Sequence, residues 1–206
     1  LTYGWFIMQV PETIIATAIG TALLPTLARL AARDDSVALS RTLTDALRIM
    51  VFLTLPAAVV GFFLSRPALQ LVFEGGGFTA AGTDMVAFAA RMFLIGLVGH
   101  SLLEIAARTY YAFGDAVTPT VAAVLAMALQ VGVSLALLHY TGMGFGGLAL
   151  ANAVAFTFQA SAMLVVLYLR RRPFNLAAVL RGWGVAALGT SGLAVILVAT
   201  FRLAMQ

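Results

Sequence analysis

The sequence predicts an all-α polytopic membrane protein, built as a bundle of six transmembrane helices. Hydrophobic residues make up 62% of the 206-residue chain, and charged residues make up 10%. A soluble domain is typically about half apolar and a quarter charged, so the composition excludes that class. The apolar residues also gather in six runs, and each run is long enough for a helix to cross a bilayer.

The first span is predicted over about residues 3–30, and the second over about residues 46–64. The first contains Pro11 and Pro25, either of which can kink a helix. Between the two spans, leucine recurs on one helical face over residues 37–47, a pattern typical of an amphipathic segment. We therefore expect an interfacial helix that leads into the second span.

The third span is predicted over about residues 83–113. Ahead of it, Pro67 suits the first turn of a short separate helix, and the glycine-rich residues 74–79 predict a tight turn at the membrane surface. The third span is longer than the roughly 20 residues that a bilayer requires. Its ends should therefore protrude, or the helix should bend near Gly96 and Gly99.

The last three spans are predicted over about residues 119–140, 148–169 and 181–203. Three arginines and a proline end the fifth span, and residues 174–180 predict a second interfacial segment. The six spans form one membrane domain. Because the chain begins with Leu1 at the start of a helix, we expect it to be a fragment of a longer protein.

The distribution of arginine predicts the orientation of the chain in the membrane. All twelve basic residues are arginines. Eight of them lie at the first, third and fifth connections and three at the opposite side, which places the odd connections in the cytoplasm by the positive-inside rule. The arginines are spread over span ends and form no single patch, so the net charge of +4 does not indicate a nucleic-acid partner.

Three ionisable residues in the third span form the first candidate site. His100, Glu104 and Arg108 are spaced four residues apart, so they share one helical face. Ionisable residues in a membrane span usually face a bundle interior or a wet cavity. One interpretation is a structural cluster, with Glu104 paired to Arg108 and His100 bonded to a neighbouring helix. The other is a transport cavity that meets an anionic substrate or takes up protons or cations.

Four further polar residues are candidates for the lining of such a cavity: Gln9, Glu12, Arg48 and Asn152. Polar residues scattered over several spans favour a transporter over a simple membrane anchor. Glu12 is either an interfacial residue or a cavity acid beside Pro11. Arg48 either extends to the lipid headgroups or faces the cavity.

The sequence favours neither a metal site nor an enzyme. His100 and Glu104 could bind zinc from one helical face, but the only other histidine, His139, ends a different span. There is no cysteine to supply a thiolate ligand. No zinc-protease, nucleophile-elbow or phosphate-loop motif occurs. We predict no cofactor.

Three stretches of the chain resemble motifs of the MviN/MurJ lipid II flippases, and their order and spacing agree. The first is Pro11–Leu27, which reads PETIIATAIGTALLPTL. The second is Phe73–Thr79. The third runs from His100–Arg108 into Tyr111–Pro119, which reads YAFGDAVTP. The region that the three stretches bracket covers about half of the chain.

The resemblance implies a fold and a function. Members of this family belong to the superfamily of multidrug and oligosaccharidyl-lipid exporters, in which two six-helix lobes enclose a central cavity. The six spans would correspond to spans eight to thirteen of fourteen, in the C-terminal lobe. The implied activity is the flipping of an undecaprenyl-diphosphate-linked cell-wall precursor, lipid II, across the bacterial cytoplasmic membrane by alternating access. The implied driving force is the membrane potential or a coupling cation.

The chain departs from the family pattern at three positions of the first span. Phe6 stands where familiar members carry a cavity arginine that is thought to hold the diphosphate, Gln9 where they carry glutamate, and Thr13 where they carry glycine. Arg48 and Arg108 are candidates to replace the lost positive charge. Two alternatives to lipid II flipping are another exporter of the superfamily, for polysaccharide-lipids or drugs, and a membrane pseudotransporter without transport activity.

Overall fold

A computed structural model of the chain describes residues 2–73 and 79–204, and this part is entirely α-helical apart from its short connections. The glycine-rich turn predicted over residues 74–79 lies outside the described residues, except for Thr79. A π-helical turn, Glu12–Thr17, joins the first two helices. The helices are α1 (Thr2–Pro11), α2 (Ala18–Ala32), α3 (Ser36–Phe73), α4 (Ala80–Ile95), α5 (Leu97–Ala112), α6 (Val117–Tyr140), α7 (Phe145–Arg171) and α8 (Leu176–Ala204).

The prediction of an all-α bundle of six spans is confirmed for the described residues. The continuous segment from α1 to α2, together with α3, α6, α7 and α8, gives five spans of sufficient length and hydropathy. Helices α4 and α5 form the sixth as a pair bent by 43°. The bend lies at Gly96, so of the two alternatives predicted from the length of the third span, protruding ends or a bend near Gly96 and Gly99, the bend is found. A Cβ on Gly96 would lie 2.7 Å from Ala153 Cα, so glycine allows α7 to pass close to the bend.

The prediction of three separate segments over residues 37–73 is wrong, because Ser36–Phe73 is one helix of 38 residues. Pro67 lies inside this helix and does not start a new one. A proline interrupts the backbone hydrogen bonds of the preceding turn. The carbonyl of Phe62 in that turn accepts hydrogen bonds from Ser65 Oγ at 3.0 Å and from Arg91 Nε at 3.1 Å. Both contacts lie in the turn before Pro67, although the carbonyl that a proline at this position deprives of its usual N–H donor is that of Phe63.

The separate interfacial segment predicted over residues 174–180 is also absent, since α8 begins at Leu176 and continues without a break. Asn175 precedes this helix, and its Oδ1 accepts a hydrogen bond from the Ala178 N–H at 3.1 Å. An asparagine in this position caps a helix N-terminus. The Asn175 N–H also donates to Thr44 Oγ1 at 3.0 Å, which fixes the start of α8 against α3.

Two apolar clusters hold the helices together. The larger joins α3, α5 and α7 through fully buried side chains such as Leu47, Ile105 and Met163. The smaller joins α1, α4, α7 and the start of α5 around Met8 and Leu97. Helix α6 packs mainly on α7, and α8 mainly on α3, so both lie at the periphery. The span formed by α1 and α2 packs on α3, α4 and α5 and leaves its outer face uncovered.

Asp115 stabilises the connection between α5 and α6, and its contribution to the stability of the protein should depend on pH. Its carboxylate accepts hydrogen bonds from the Thr118 N–H at 2.9 Å and from Thr118 Oγ1 at 2.7 Å. The backbone hydrogen bond first, and the hydroxyl second, lower the pKa of Asp115 below its ordinary value. A lowered pKa contributes stability that is complete above the unfolded-state pKa and is lost as the pH falls through the folded-state pKa.

We therefore expect Asp115→Ala to lower the melting temperature at pH 7, with a difference from the wild type that shrinks as the pH falls below about 4. Thermal unfolding in detergent over a pH series measures this difference. Asp115→Asn is the matched control, because it keeps an acceptor oxygen without the titrating charge. A difference that stays constant down to the lowest pH would show that the charge of Asp115 does not contribute.

Candidate functional site

His100 lies in the interior of the bundle and contacts two other spans. Its side chain is 4% exposed. Nε2 lies 3.2 Å from Asn152 Oδ1 on α7, and Nδ1 lies 3.6 Å from Glu12 Oε1 in the π-helical turn. The structure therefore brings together three predicted site residues that are far apart in the sequence.

Aromatic side chains enclose the same histidine. The ring of Phe156 stacks on the imidazole with the ring centroids 4.0 Å apart, and Trp5 meets it edge to face at 5.5 Å. An apolar enclosure makes each remaining polar contact of a buried group important, because water is not there to replace it. Asn152 is therefore the side chain that hydrogen-bonds His100, and Glu12 is a carboxylate next to its other ring nitrogen.

The position of Glu12 depends on the π-helical turn that follows Pro11. Proline lacks the N–H of a regular helix, and the next six residues, Glu12–Thr17, form the wider π-helix. Single π-helical turns within α-helices are frequent at functional sites. Here the turn holds the carboxylate of Glu12 beside α5, with its side chain 23% exposed.

Glu104 and Arg108 form an ion pair on α5, and they follow His100 by one and two helical turns, respectively. The side chain of Arg108 is 16% exposed and that of Glu104 is 35% exposed. Arg108 lies directly against Gly20 of α2, where a Cβ would come within 3.0 Å of its Cδ. Its Nε is buried, and no hydrogen-bond partner for it occurs in the described part of the chain. The glycine thus provides the space in which this cation lies between the spans.

Gln9 and Arg48 do not join this group. Gln9 is exposed on the outer face of α1. Arg48 is exposed on α3, lies 3.7 Å from Asp45, and rests against Gly182 of the peripheral helix α8. The contacts of the structural interpretation, an ion pair on α5 and a hydrogen bond from His100 to a neighbouring helix, are therefore both present.

A cavity of about 500 Å³ opens beside His100. Trp5 and Asn152, which both contact His100, form part of its wall. The wall also contains the polar side chains Gln130 and Ser134 of α6. The buried histidine is thus separated from open space by a single layer of side chains.

Sequence reasoning missed a polar face on the first span. Gln9, Thr13, Thr17 and Thr21 recur at every fourth residue, and all four are exposed on the uncovered side of α1 and α2. The signal was present in the sequence as this spacing, since residues four apart lie on one side of a helix. It is weak because threonine is common in apolar spans and carries no charge.

Comparison with known proteins gives the family of the chain. The family model described as lipid II flippase MurJ matches residues 1–205. The chain belongs to this family. The resemblance found in the three sequence motifs is thereby confirmed, and the described helices are those of a multi-pass membrane protein.

Two relatives and one solved structure illustrate the similarity. A probable lipid II flippase MurJ of Rhizobium tropici is 32% identical over 82% of this chain and 32% of its own length. The lipid II flippase MurJ of Burkholderia cenocepacia is 33% identical over 84% of this chain and 33% of its own length. A lipid II flippase MurJ in an inward closed conformation superimposes with a TM-score of 0.76 at 22% identity, covering 95% of this chain and 41% of that one.

These comparisons also show the extent of the match. The chain spans about a third of the length of the curated relatives it matches. The solved structure shares the fold over nearly all of the chain. The family members are transporters by name, which agrees with the sequence prediction of a protein that is not an enzyme.

Proposed function

We propose that this chain is part of a flippase that moves lipid II, an undecaprenyl-diphosphate-linked peptidoglycan precursor, across the bacterial cytoplasmic membrane. Membership of the MurJ family supports the substrate and the location of the activity. Because the relatives are about three times longer, the chain forms one wall of the transport path, and the rest of the transporter forms the other.

The polar face of the first span is the observation that carries this proposal. Gln9, Thr13, Thr17 and Thr21 are exposed on the uncovered side of the otherwise apolar first span. A polar stripe on a membrane helix faces protein or water rather than lipid chains, because hydrocarbon offers no hydrogen bonds. We therefore place the water-filled cavity of alternating access against this face of α1 and α2.

The group of His100, Glu12 and Asn152 is the proposed site of coupling behind that face. The two ring nitrogens of His100 face the carboxylate of Glu12 and the amide oxygen of Asn152, so a movement of this side chain would change which spans it holds together. A coupling cation could bind the oxygen atoms of Glu12 and Asn152 only in place of the imidazole that lies between them. Either event would change the contacts among α1, α5 and α7.

Glu104 and Arg108 are proposed to keep the wall next to the cavity electrically neutral, because the carboxylate neutralises the guanidinium. Arg108 keeps a buried Nε–H without a partner among the residues that the structure describes, and Glu104 is the more exposed member of the pair. A diphosphate that approached this wall would compete with Glu104 for the guanidinium, because phosphate and carboxylate bind arginine with the same fork geometry. Arg108 is thus the proposed replacement for the positive charge absent at Phe6.

Complementation of a strain depleted of its own lipid II flippase tests the function. We expect the full-length gene to restore growth, and the same gene with Arg108→Glu to fail at an equal amount of protein in the membrane. Asp45→Asn, which changes a distant exposed charge, is the control and should restore growth fully. Failure of the unaltered gene despite good membrane expression would contradict the proposal.

A second candidate is an exporter of polysaccharide-lipids or drugs from the same superfamily, and Phe6 favours it. Phe6 is 55% exposed on α1, where an arginine would bind an anionic substrate. Drug-resistance profiling of an overexpressing strain, set beside the complementation result, separates the two functions. Raised resistance without complementation would favour the second candidate.

A further inference from the structure

The groove between α3 and α8 carries two arginines that the proposed transport path does not use. It has a volume of about 460 Å³ and is lined by Asp45, Arg48, Ile49, Phe52, Arg181, Gly182 and Val185. It lies at the periphery, because α8 packs mainly on α3, whereas His100, Glu104 and Arg108 face the first span and α7. A function of this groove is therefore separate from the cavity proposed above.

The two arginines retain hydrogen-bonding capacity. Arg48 lies 3.7 Å from Asp45, which is too long for a hydrogen bond. Arg181 is exposed, and among the described residues no carboxylate lies within 4 Å of it. Two arginines against one aspartate leave the groove with one net positive charge. A guanidinium with free N–H groups binds phosphate in a bidentate manner.

Glycine determines where Arg48 lies. A Cβ on Gly182 would come within 2.7 Å of Arg48 Nε and 2.8 Å of its Cγ, so any larger residue would displace the arginine from α8. The neighbouring Trp183 donates from Nε1 to the Leu47 carbonyl at 3.1 Å, which fixes α8 against α3 at this level. The guanidinium of Arg48 is thus held over α8 next to the turn that carries Arg181.

The rest of the groove is apolar and exposed in the direction of the membrane centre. Phe52 follows Arg48 by one turn of α3, and Val185 follows Arg181 by one turn of α8; they are 58% and 60% exposed. The arginines lie close to the start of α8, which is fixed to Thr44. Cations near a helix end suit the phosphate headgroup of a phospholipid, and the exposed apolar surface that follows them suits its acyl chain.

We propose that this groove binds an anionic phospholipid of the surrounding bilayer. Arg48 and Arg181 hold the phosphate of the headgroup, and an acyl chain lies along Phe52 and Val185. The lipid joins α3 to α8 at the end of the bundle where the arginine distribution predicts the cytoplasm. Basic pockets between transmembrane helices on that side are suited to anionic headgroups.

Native mass spectrometry of the full-length protein, titrated with phosphatidylglycerol or phosphatidylcholine, tests this site. We expect tighter binding of phosphatidylglycerol, and a loss of about tenfold in its affinity in the double variant Arg48→Gln/Arg181→Gln, because two charge-assisted contacts are removed. The matched control Arg33→Gln/Arg41→Gln removes two exposed charges near the same end, outside the groove, and should keep wild-type affinity. The conservative variant Arg48→Lys/Arg181→Lys should keep most of the binding.

Three results would overturn the proposal. Equal losses in the groove variant and the control would show attraction to general surface charge only. Displacement of phosphatidylglycerol by inorganic phosphate at millimolar concentration would show a site for the free ion. Displacement by undecaprenyl diphosphate, lost in the groove variant, would assign the groove to the transported lipid. The melting temperatures of all variants are measured as well, and equal values show that the differences in lipid affinity come from folded protein.

Discussion

Replacing Glu104 with glutamine is expected to reduce flipping at least about tenfold while leaving the amount of protein in the membrane unchanged. Glutamine keeps the size of the side chain and an acceptor oxygen for Arg108, so the local packing is retained. It removes the negative charge that balances Arg108 on the wall next to the proposed cavity. An uncompensated guanidinium there would hold an anionic substrate too tightly to release it.

Flipping in membrane vesicles, measured by the accessibility of the lipid II headgroup to an added enzyme, provides the readout. Glu104→Asp keeps the charge and should retain most of the activity. Asp45→Asn removes an exposed carboxylate of α3 that is not part of the Glu104–Arg108 pair, and it should be fully active. Normal flipping by Glu104→Gln would show that the charge of Glu104 has no part in transport.

Replacing Gly99 with alanine is expected to destabilise the protein by about 1–3 kcal/mol, and replacement with leucine to prevent folding. A Cβ on Gly99 would lie 2.8 Å from Thr157 Cα, so the whole backbone of α7 would have to move. This contact lies one residue from His100, in the packing of α5 on α7. Close approach of membrane helices at small residues is a principal source of their association.

Thermal unfolding in detergent measures the loss of stability. Gly132→Ala is the matched control, because nothing lies within 4 Å of a Cβ at Gly132 of α6. The control should unfold at the wild-type temperature or slightly above it, since alanine favours the helix. Equal melting temperatures of Gly99→Ala and Gly132→Ala would contradict the close packing of α5 on α7 at Gly99.

Hydropathy and span length were sufficient to predict the number of spans, and they left two alternatives for the long third span, of which the bend near Gly96 and Gly99 is the one found. They did not predict that α3 is continuous through Pro67, or that Arg91 of another span donates a hydrogen bond to the Phe62 carbonyl in the preceding turn. From the sequence alone, a proline in a helix indicates a boundary, because the side chains that pack around it are not known. Tertiary contacts therefore decided this part of the fold.

The candidate site was predictable residue by residue but not as an assembly. His100, Glu104 and Arg108 were apparent from their spacing on one helix. The hydrogen bond of His100 joins residues 52 positions apart, and its contact with Glu12 depends on a π-helical turn that no spacing rule indicates. The polar face of Gln9, Thr13, Thr17 and Thr21 could have been found from its regular interval of four.

Cysteine accessibility tests most directly whether that polar face lines a water-filled path. The chain contains no cysteine, so single cysteines can be placed at Thr13 and Thr17, and at Val124 on the apolar outer side of α6 as a control. In a full-length background free of other cysteines, we expect a water-soluble, membrane-impermeant thiol reagent to label Thr13→Cys and Thr17→Cys but not Val124→Cys. Labelling of all three at the same low rate would contradict a water-filled cavity at this face.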